Sequence, residues 1–339
     1  MISVIIPAYN AAETLEDCLR AVGHLDYQDF EVIVVDDAST DNTAAIASSF
    51  PCRVVRSPSN RGAAQARNEG ARLAQGEVIV FTDADVLLPA DALRLLEENF
   101  RDPSIAGVVG LLGSKLRYTN FASQFKNLWM YHTYARLGDR PVAGRGVGLF
   151  FTSIAAIRQV VFWKHGGFDA HYKGASITED VEFGQRLLTA GDRVLLERRL
   201  AVEHLKHYEF AELLKTDLKR SFGLAKTWLR KAAQAKRGSV SHKYYTSVPW
   251  SFILSVPLAW LLPVLALLSI ARGLGPWLAA LVSVYGMILV LNWAFLSTLY
   301  EARGLFFLVQ SCLFLPLDLW VSGLGVLWAV LDFLAGRGY

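Results

Sequence analysis

The last quarter of the chain carries almost no charge, and this feature limits what the sequence can fold into. Between Trp250 and Leu334 the charged side chains are Arg272, Glu301, Arg303, Asp318 and Asp332. Charges of both signs are dense before this stretch, so the averages of 53% hydrophobic and 19% charged residues describe neither half. The division predicts a water-exposed domain of roughly 200–240 residues followed by a membrane region.

The apolar stretch predicts about three membrane helices, near residues 250–271, 277–300 and 305–335. The first two are each long enough to cross a hydrocarbon layer of about 30 Å at about 1.5 Å per residue. The third is too long for one straight helix across the membrane and too short for two complete spans, and Pro316 and Asp318 interrupt it. A kinked helix, a helix with an interfacial segment and a re-entrant hairpin remain alternatives there.

A basic segment, residues 211–247, precedes the first apolar helix. Its cations are Lys215, Lys219, Arg220, Lys226, Arg230, Lys231, Lys236, Arg237 and Lys243. We expect this segment to lie on a cytoplasmic membrane surface, because positive flanks stay inside and attract anionic lipids. A solvated helix face is the alternative, and no recognition module for nucleic acid accompanies the segment.

The cysteines and the first residues bear on the compartment. Cys18, Cys52 and Cys312 are far apart and match no metal-site spacing, which favours a reducing environment. The chain begins in an apolar strand pattern and not in a signal-peptide pattern. We therefore expect an integral protein of the cell (plasma) membrane with its N-terminal domain in the cytoplasm.

The N-terminal part alternates apolar β-branched runs with helix patterns, which is typical of an α/β domain with a parallel sheet. Strands are predicted at residues 3–7, 31–35, 53–56, 77–82 and 200–205. Helices are predicted from about residue 41 and over 62–74, 89–100, 121–137, 154–164 and 179–189. Asn10 and Glu13 form a capping-box pattern that predicts a helix from Asn10, and Thr178 is a candidate cap for the helix from Glu179.

Polar residues follow the ends of three predicted strands, where ligands of parallel sheets bind. They are Asn10, the pair Asp36 and Asp37, and the pair Asp83 and Asp85. Side chains two apart on a strand point to the same side, so Asp83 and Asp85 suit Mg²⁺ or Mn²⁺ bridging diphosphate oxygens. A solvated turn is the alternative for that pair, and an Asx turn or helix cap for Asp36 and Asp37.

Further candidates lie on other predicted elements. Glu179 and Asp180 open a helix, where the helix dipole alone would favour them, but either carboxylate can act as a general base. His204 either completes the metal site or has a structural role. Arg61, Arg67 and Asn68 flank a glycine near the same edge and are candidates to hold phosphate or base, with surface ion pairing as the alternative.

Six short motifs together resemble the family 2 glycosyltransferases and occur in that family's order over residues 1–210. They are IIPAYN (5–10), VVDDAS (34–39), NRGAAQARNEG (60–70), FTDAD (81–85), GGFD (166–169) and TEDVEF (178–183). The resemblance implies a GT-A (Rossmann-like) fold, here followed by a helical transmembrane region. It also implies inverting transfer of a sugar from a nucleoside-diphosphate sugar, with UDP as the commoner nucleotide.

The resemblance also implies roles for individual residues. Pro7, Tyr9, Asp36 and Asp37 correspond to positions that bind the base and ribose. Asp83 and Asp85 correspond to the diphosphate and metal motif, with Asp85 as the preferred direct metal ligand. Asp180 corresponds to the catalytic base, Glu179 beside it assists the acceptor or the base, and His204 corresponds to a histidine that approaches the metal in some members.

We therefore expect a catalytic domain over residues 1–210, a membrane-surface segment over 211–247 and a membrane anchor over 248–339. The sequence lacks the Gln-x-x-Arg-Trp motif of processive synthases. This absence favours transfer of a single sugar, and the short basic segment favours a lipid or lipid-linked acceptor at the membrane. A processive polysaccharide synthase and a non-catalytic scaffold that binds nucleotide sugars are the alternatives.

Overall fold

A computed structural model describes residues 1–136, 150–170, 179–236, 248–272 and 274–336. Thr178, Arg237 and Lys243, which the sequence analysis singled out, lie outside these residues.

Among the residues that the structure describes, one mixed sheet of eight strands organises the N-terminal part of the chain. Its strands are β1 Ile2–Ala8, β2 Phe30–Asp36, β3 Arg53–Arg56, β4 Val78–Thr82, β5 Val86–Leu87, β6 Ile105–Leu112, β7 Ile154–Arg158 and β8 Arg193–His204. Their order across the sheet is β3-β2-β1-β4-β7-β6-β8-β5. The first four in this order are parallel, whereas β7 runs antiparallel to both β4 and β6.

Eight helices accompany the sheet within the described residues. They are α1 Leu15–Gly23, α2 Thr43–Ser48, α3 Ala63–Leu73, α4 Ala92–Phe100, α5 Phe121–Ala135, α6 Gln159–Lys164, α7 Glu179–Thr189 and α8 Phe210–Lys236. The apolar faces of α1 and α4 (Leu15, Leu19, Leu93 and Leu96) are buried in one core with the strands. Burial of such faces is the main stabilising term for these short helices.

The predicted strands 3–7, 31–35, 53–56, 77–82 and 200–205 are confirmed, although β8 begins earlier than predicted. The predicted helix over 154–164 is wrong in its first half. Residues 154–158 form β7, which is buried between β4 and β6, and only Gln159–Lys164 is helical. The helix predicted from Asn10 begins at Leu15 instead, because Asn10 has a left-handed backbone (φ 48°) and its side chain bonds another loop.

Three apolar helices follow: α9 Trp250–Arg272, α10 Leu274–Leu291 and α11 Trp293–Leu334. Helix α11 is kinked at Gly304, whose φ of 80° and ψ of −173° are not helical. The breaks therefore fall at Asn292 and Gly304, and the stretch predicted as one helix over 277–300 is divided between α10 and α11. By length and composition, α9 and α11 can each cross a membrane, and Gly275–Leu291 forms a shorter apolar helix.

A second apolar core joins these helices to α5 and α8. It includes Phe125 and Trp129 of α5, Leu213 of α8, Phe252 of α9 and Leu315 of α11. Helix α5 thus lies between the sheet region and the apolar helices. The division of the chain into a catalytic domain, a membrane-surface segment and a membrane anchor, with boundaries after residues 210 and 247, stays a prediction.

Candidate active site

The loops that follow β1 and β2 are tied together at one edge of the sheet. Asn10 accepts a hydrogen bond from the Thr40 backbone N–H at 2.9 Å, and its own N–H donates to Ser39 Oγ at 3.0 Å. Tyr9 beside it is 50% exposed, and Pro7 is half-buried. An exposed aromatic ring at a strand end offers a flat face on which a nucleotide base can stack.

Asp36 and Asp37 are both buried at the end of β2. Asp36 Oδ1 accepts the Ser39 N–H at 3.0 Å, and Asp36 Oδ2 lies 3.2 Å from Arg56 Nε. Asp37 accepts backbone N–H groups of Arg61, at 3.0 and 3.1 Å, and of Gly62, at 2.7 Å. Asp37 therefore holds the turn that begins α3, in addition to any contact with a ligand.

Asp83 lies just beyond β4 and is held on both carboxylate oxygens. Oδ1 accepts from Arg67 Nη2 at 2.7 Å, and Oδ2 accepts from the Ser153 hydroxyl at 2.9 Å. Its side chain keeps 26% of its surface exposed. Asp83 is thus fixed in orientation while still open to the edge of the sheet.

Asp85 faces His204 because the short strand β5 pairs with the end of β8, with Val86 opposite His204. Asp85 Oδ2 lies 3.6 Å from His204 Nε2. Burial opposes ionisation of Asp85, but the positive charge and hydrogen bond of a protonated His204, together with Lys206, outweigh it, so the pKa of Asp85 is lowered. Asp85 is therefore a carboxylate at neutral pH.

The tautomer of His204 follows from its other partner, Asn127 of α5. Asn127 Nδ2 donates to the Ser123 carbonyl at 2.8 Å, so its Oδ1 is the acceptor that lies 2.7 Å from His204 Nδ1. The proton of a neutral His204 is thus on Nδ1, and the lone pair on Nε2 faces Asp85. Metal-binding histidines in proteins commonly have this arrangement. Within the described residues, no group of three or more acidic, histidine or cysteine side chains is arranged to hold a metal ion.

Arg67 connects Asp83 to the start of α7. Its Nη1 donates to Glu179 Oε1 at 2.9 Å, and both side chains are about 95% buried, at 5% exposure each. Burial raises the pKa of Glu179 despite the nearby guanidinium. One arginine therefore joins a strand-end carboxylate of the sheet to the acidic pair of α7.

Asp180 follows Glu179 and is partly exposed. Its Oδ1 accepts the Val181 N–H at 2.6 Å. Burial and the adjacent Glu179 charge raise the pKa of Asp180 to about 7, while Arg67 acts in the opposite direction. A carboxylate with this pKa can accept a proton near neutral pH and release it again, as a general base must.

Two predicted ligand-binding residues are engaged in structural contacts. Asn68 is buried and bonds both backbone groups of Phe168, donating to its carbonyl at 2.7 Å and accepting from its N–H at 2.9 Å. Arg61 pairs with Glu69. Gly167 has φ 70°, and a Cβ there would lie 2.7 Å from Asn68 Oδ1, so this contact requires the glycine. The contact of either side chain with a donor stays a prediction.

The sequence analysis missed Ser153 and Asn127, which hold Asp83 and His204. Ser153 directly precedes β7 and the stretch 154–164 that was predicted to be helical. Asn127 lies on α5, 77 residues from His204, and nothing in the local pattern relates the two.

The site therefore combines an exposed aromatic ring at a strand end, a carboxylate beside a histidine, and Asp180 with a pKa of about 7 next to the Asp83–Arg67–Glu179 network. Residues 3–166 match the family model described as Glycosyl transferase family 2. The chain is 32% identical over 138 residues to glycosyltransferase GlyG of Streptococcus pneumoniae, covering 39% of this chain and 44% of that protein. It is 37% identical over 114 residues to a poly-beta-1,6-N-acetyl-D-glucosamine synthase of Staphylococcus epidermidis, covering 32% of this chain and 28% of that protein. The chain thus spans less than half the length of these curated relatives.

Solved structures resemble the chain over nearly its whole length. A mannosyltransferase of Pyrobaculum calidifontis, in complex with GDP-Man and Mn²⁺, superposes with a TM-score of 0.63 at 22% identity, covering 96% of this chain and 87% of that one. TarS residues 1–349 of S. aureus, in complex with UDP-GlcNAc, superposes with a TM-score of 0.50 at 14% identity, covering 100% and 93%. At these identities the likeness establishes the fold. The chain therefore contains a family 2 glycosyltransferase domain with the GT-A fold.

Proposed function

We propose that the protein transfers one sugar, with inversion, from a nucleoside-diphosphate sugar to a lipid or lipid-linked acceptor at the cytoplasmic face of the cell membrane. Asp180 is the general base, and a UDP-sugar is the expected donor. The observation that carries the proposal is the Asp83–Arg67–Glu179 network, which joins a strand-end carboxylate to the helix that begins with the base.

The donor binds at the edge formed by the loops after β1, β2 and β4. Tyr9 and Pro7 contact the base, Asn10, Asp36 and Asp37 shape the ribose end, and Asp83 with Arg67 lies at the diphosphate end. Arg61 and Asn68 act through the turns that they hold. The three strands that carry these residues are neighbours in the sheet, in the order β2-β1-β4.

A divalent cation, Mg²⁺ or Mn²⁺, fits the chemistry of the residues beside the diphosphate end. Asp85 offers a carboxylate oxygen, and a neutral His204 offers the Nε2 lone pair that Asn127 orients. Asp83 contributes charge but shares its oxygens with Arg67 and Ser153. The cation would offset the charge of the diphosphate leaving group. The Mn²⁺ in the mannosyltransferase complex supports this assignment.

The reaction is a single displacement. Asp180 takes the proton of an acceptor hydroxyl as that oxygen bonds the anomeric carbon, and the bond from that carbon to the nucleoside diphosphate breaks on the opposite face. General-base assistance of this kind contributes about 10²–10⁴ in rate. The pKa of about 7 means that an appreciable fraction of Asp180 is ionised at neutral pH.

The apolar helices support a membrane acceptor. Among the described residues before Phe210, the large apolar side chains that are exposed are Met1, Tyr9 and Val160. In α9, α10 and α11 they are numerous and include Ile270 at 80%, Val290 at 75% and Phe306 at 77% exposure. Surfaces this apolar are unstable in water and are typical of contact with lipid.

The test is a partition assay on membranes that contain the full chain, given a panel of radiolabelled nucleotide sugars with Mn²⁺ or Mg²⁺. We expect one donor to label the organic phase as a single product, and Asp180→Asn to abolish that labelling. Asp91→Asn is the matched control, because Asp91 is a partly exposed aspartate before α4 and lies outside the network. Label that enters only water-soluble acceptors would contradict the lipid acceptor.

A processive polysaccharide synthase is the second candidate, because one relative bears the name of such an enzyme. A processive enzyme would place label in long polymer from the same donor, whereas single transfer gives one product size. If no donor is turned over but donor binding persists in Asp180→Asn, a non-catalytic scaffold becomes the better account.

A further inference from the structure

A cavity of about 530 Å³ lies where α5 meets the kink of α11. Its lining residues are Leu116, Thr119, Phe121, Gln124, Arg303, Phe306, Phe307 and Gln310. None of the candidate catalytic, metal or donor-binding residues is among them. The cavity is therefore a second feature, separate from the edge of the sheet where the donor is proposed to bind.

Arg303 gives this cavity an uncompensated positive charge. Its guanidinium donates to three neutral acceptors, namely Gln124 Oε1, the Ser114 carbonyl at 3.1 Å and the Ala302 carbonyl at 2.7 Å. Within the part of the chain that the structure describes, no carboxylate lies within ion-pair distance of Arg303. An arginine has further N–H groups beyond these three bonds, and they are available to an anion.

The rest of the cavity combines amides with aromatic rings. Gln124 and Gln310 supply polar groups beside Arg303, and Phe121 packs on Phe307 with ring centroids 5.2 Å apart. Phe306 is 77% exposed at the mouth, and the exposed Val309 and Leu313 continue the apolar surface along α11. A ligand that fits this arrangement has an anionic head at Arg303 and a hydrocarbon tail along α11.

We propose that this cavity binds the phosphate headgroup of an anionic membrane phospholipid, which does not itself react. The inference rests on the proposed membrane association, because the lipid must reach the cavity from a bilayer. The bound phosphate supplies the counter-charge of Arg303 and bridges α5 to α11. Gln124 is about one helical turn from Asn127 on α5. Lipid binding therefore stabilises the helix that orients His204.

The experiment uses the full chain in phosphatidylcholine nanodiscs, with and without a minor fraction of phosphatidylglycerol. Native mass spectrometry counts the phosphatidylglycerol molecules that stay bound after extraction, and thermal unfolding reports the stabilisation. We expect Arg303→Gln to weaken retention about tenfold or more, as the loss of a charge-assisted bond predicts. We expect Arg272→Gln to bind like the wild type, since Arg272 is an exposed arginine outside the cavity.

A second variant, Leu116→Trp, keeps Arg303 but fills the cavity, and it should lose the lipid to a similar extent. Arg303→Lys should retain part of the binding. Unchanged retention in Arg303→Gln, an equal loss in Arg272→Gln, or displacement by soluble glycerol phosphate would each overturn the proposal. So would glycosylation of the retained lipid. Because these readouts do not involve sugar transfer, a failure of the proposed enzyme activity leaves them interpretable.

Discussion

The base Asp180 is flanked by charges of opposite sign, so two substitutions should move its pKa in opposite directions. Burial and Glu179 raise the pKa of Asp180 to about 7, and Arg67 lowers it. Glu179→Gln removes the neighbouring anion and should lower the pKa. Arg67→Gln removes the neighbouring cation and should raise it. Since the base must be unprotonated, activity in the wild type should rise with pH through about 7.

The size of the shift follows from Coulomb's law. Two charges about 6–8 Å apart interact by about 2–3 kcal/mol at an effective dielectric constant of about 20. This energy corresponds to about 1.5–2 pK units. Solvent at the partly exposed Asp180 reduces it, so we expect each substitution to move the acid limb by about one pH unit.

The assay is kcat/KM for transfer as a function of pH, at saturating metal, because kcat/KM reports the pKa of the free enzyme. Glu179→Gln should remain active at lower pH than the wild type, and Arg67→Gln should require higher pH. Arg67→Lys is the control that keeps the charge and should stay near the wild-type profile. Shifts of the same sign in both glutamine variants, or an unmoved acid limb, would refute the assignment of Asp180 as the base.

Four further predictions concern stability and metal binding. Gly167→Ala should destabilise the fold by about 2–3 kcal/mol in thermal unfolding, because Gly167 has φ above 0 and its new Cβ would lie 2.7 Å from Asn68. Gly166→Ala should cost only about 1 kcal/mol, because Gly166 also has φ above 0 but has space for a Cβ. Asn127→Leu should raise the metal concentration for half-maximal activity about 10–100-fold. Asn120→Leu, directly before the same helix, should not, because Asn120 bonds the Tyr208 carbonyl and not His204. Asp180→Asn should raise the unfolding temperature relative to the wild type at pH 8, and by less at pH 5. Because the pKa of Asp180 is raised, protonation stabilises the folded state fully only below the ordinary aspartate pKa of 3.8, and this stabilisation is lost as the pH rises to about 7. Lys126→Met should cost about 3–5 kcal/mol by leaving Asp217 unpaired and buried, and adding Asp217→Leu should recover part of that loss in urea unfolding.

The four parallel strands were predictable because each is a short apolar run closed by a polar residue or a turn. Strand β7 was not, since residues 154–164 are two short apolar runs separated by Arg158 and Gln159, a pattern that suits a helix as well as a buried strand. Its conformation is decided by pairing with β4 and β6, which no local pattern encodes. The same reason explains the strands that the sequence analysis did not name, β5 and β6.

The candidate site also contains residues that the sequence placed correctly and residues that the sequence did not reveal. Asp36, Asp83 and Asp85 were placed correctly at strand ends, because parallel strands end at one edge. The residues that hold the site lie far away in sequence: Ser153 is 70 residues from Asp83, and Asn127 is 77 from His204. A hydrogen bond between such distant positions forms only once the chain has folded. The residue type indicates that a side chain can donate or accept a hydrogen bond, but it does not identify the partner.

The sequence analysis considered two roles for Arg67, as a ligand of phosphate or as a surface cation in an ion pair. Its position in the structure indicates a third role. It lies between Asp83 and Glu179, so its charge offsets carboxylates that would otherwise repel one another in a buried setting. Asp180 also interacts with Arg67, so one arginine faces three carboxyl groups, whereas Asp85 lies beside His204 and Lys206. A nucleoside diphosphate adds further negative charge there, and a divalent cation would offset that charge together with Arg67 and Lys206. This balance is an independent reason to expect a divalent cation at Asp85 and His204. It also predicts that removing Arg67 should raise the concentration of donor required as well as move the pH profile.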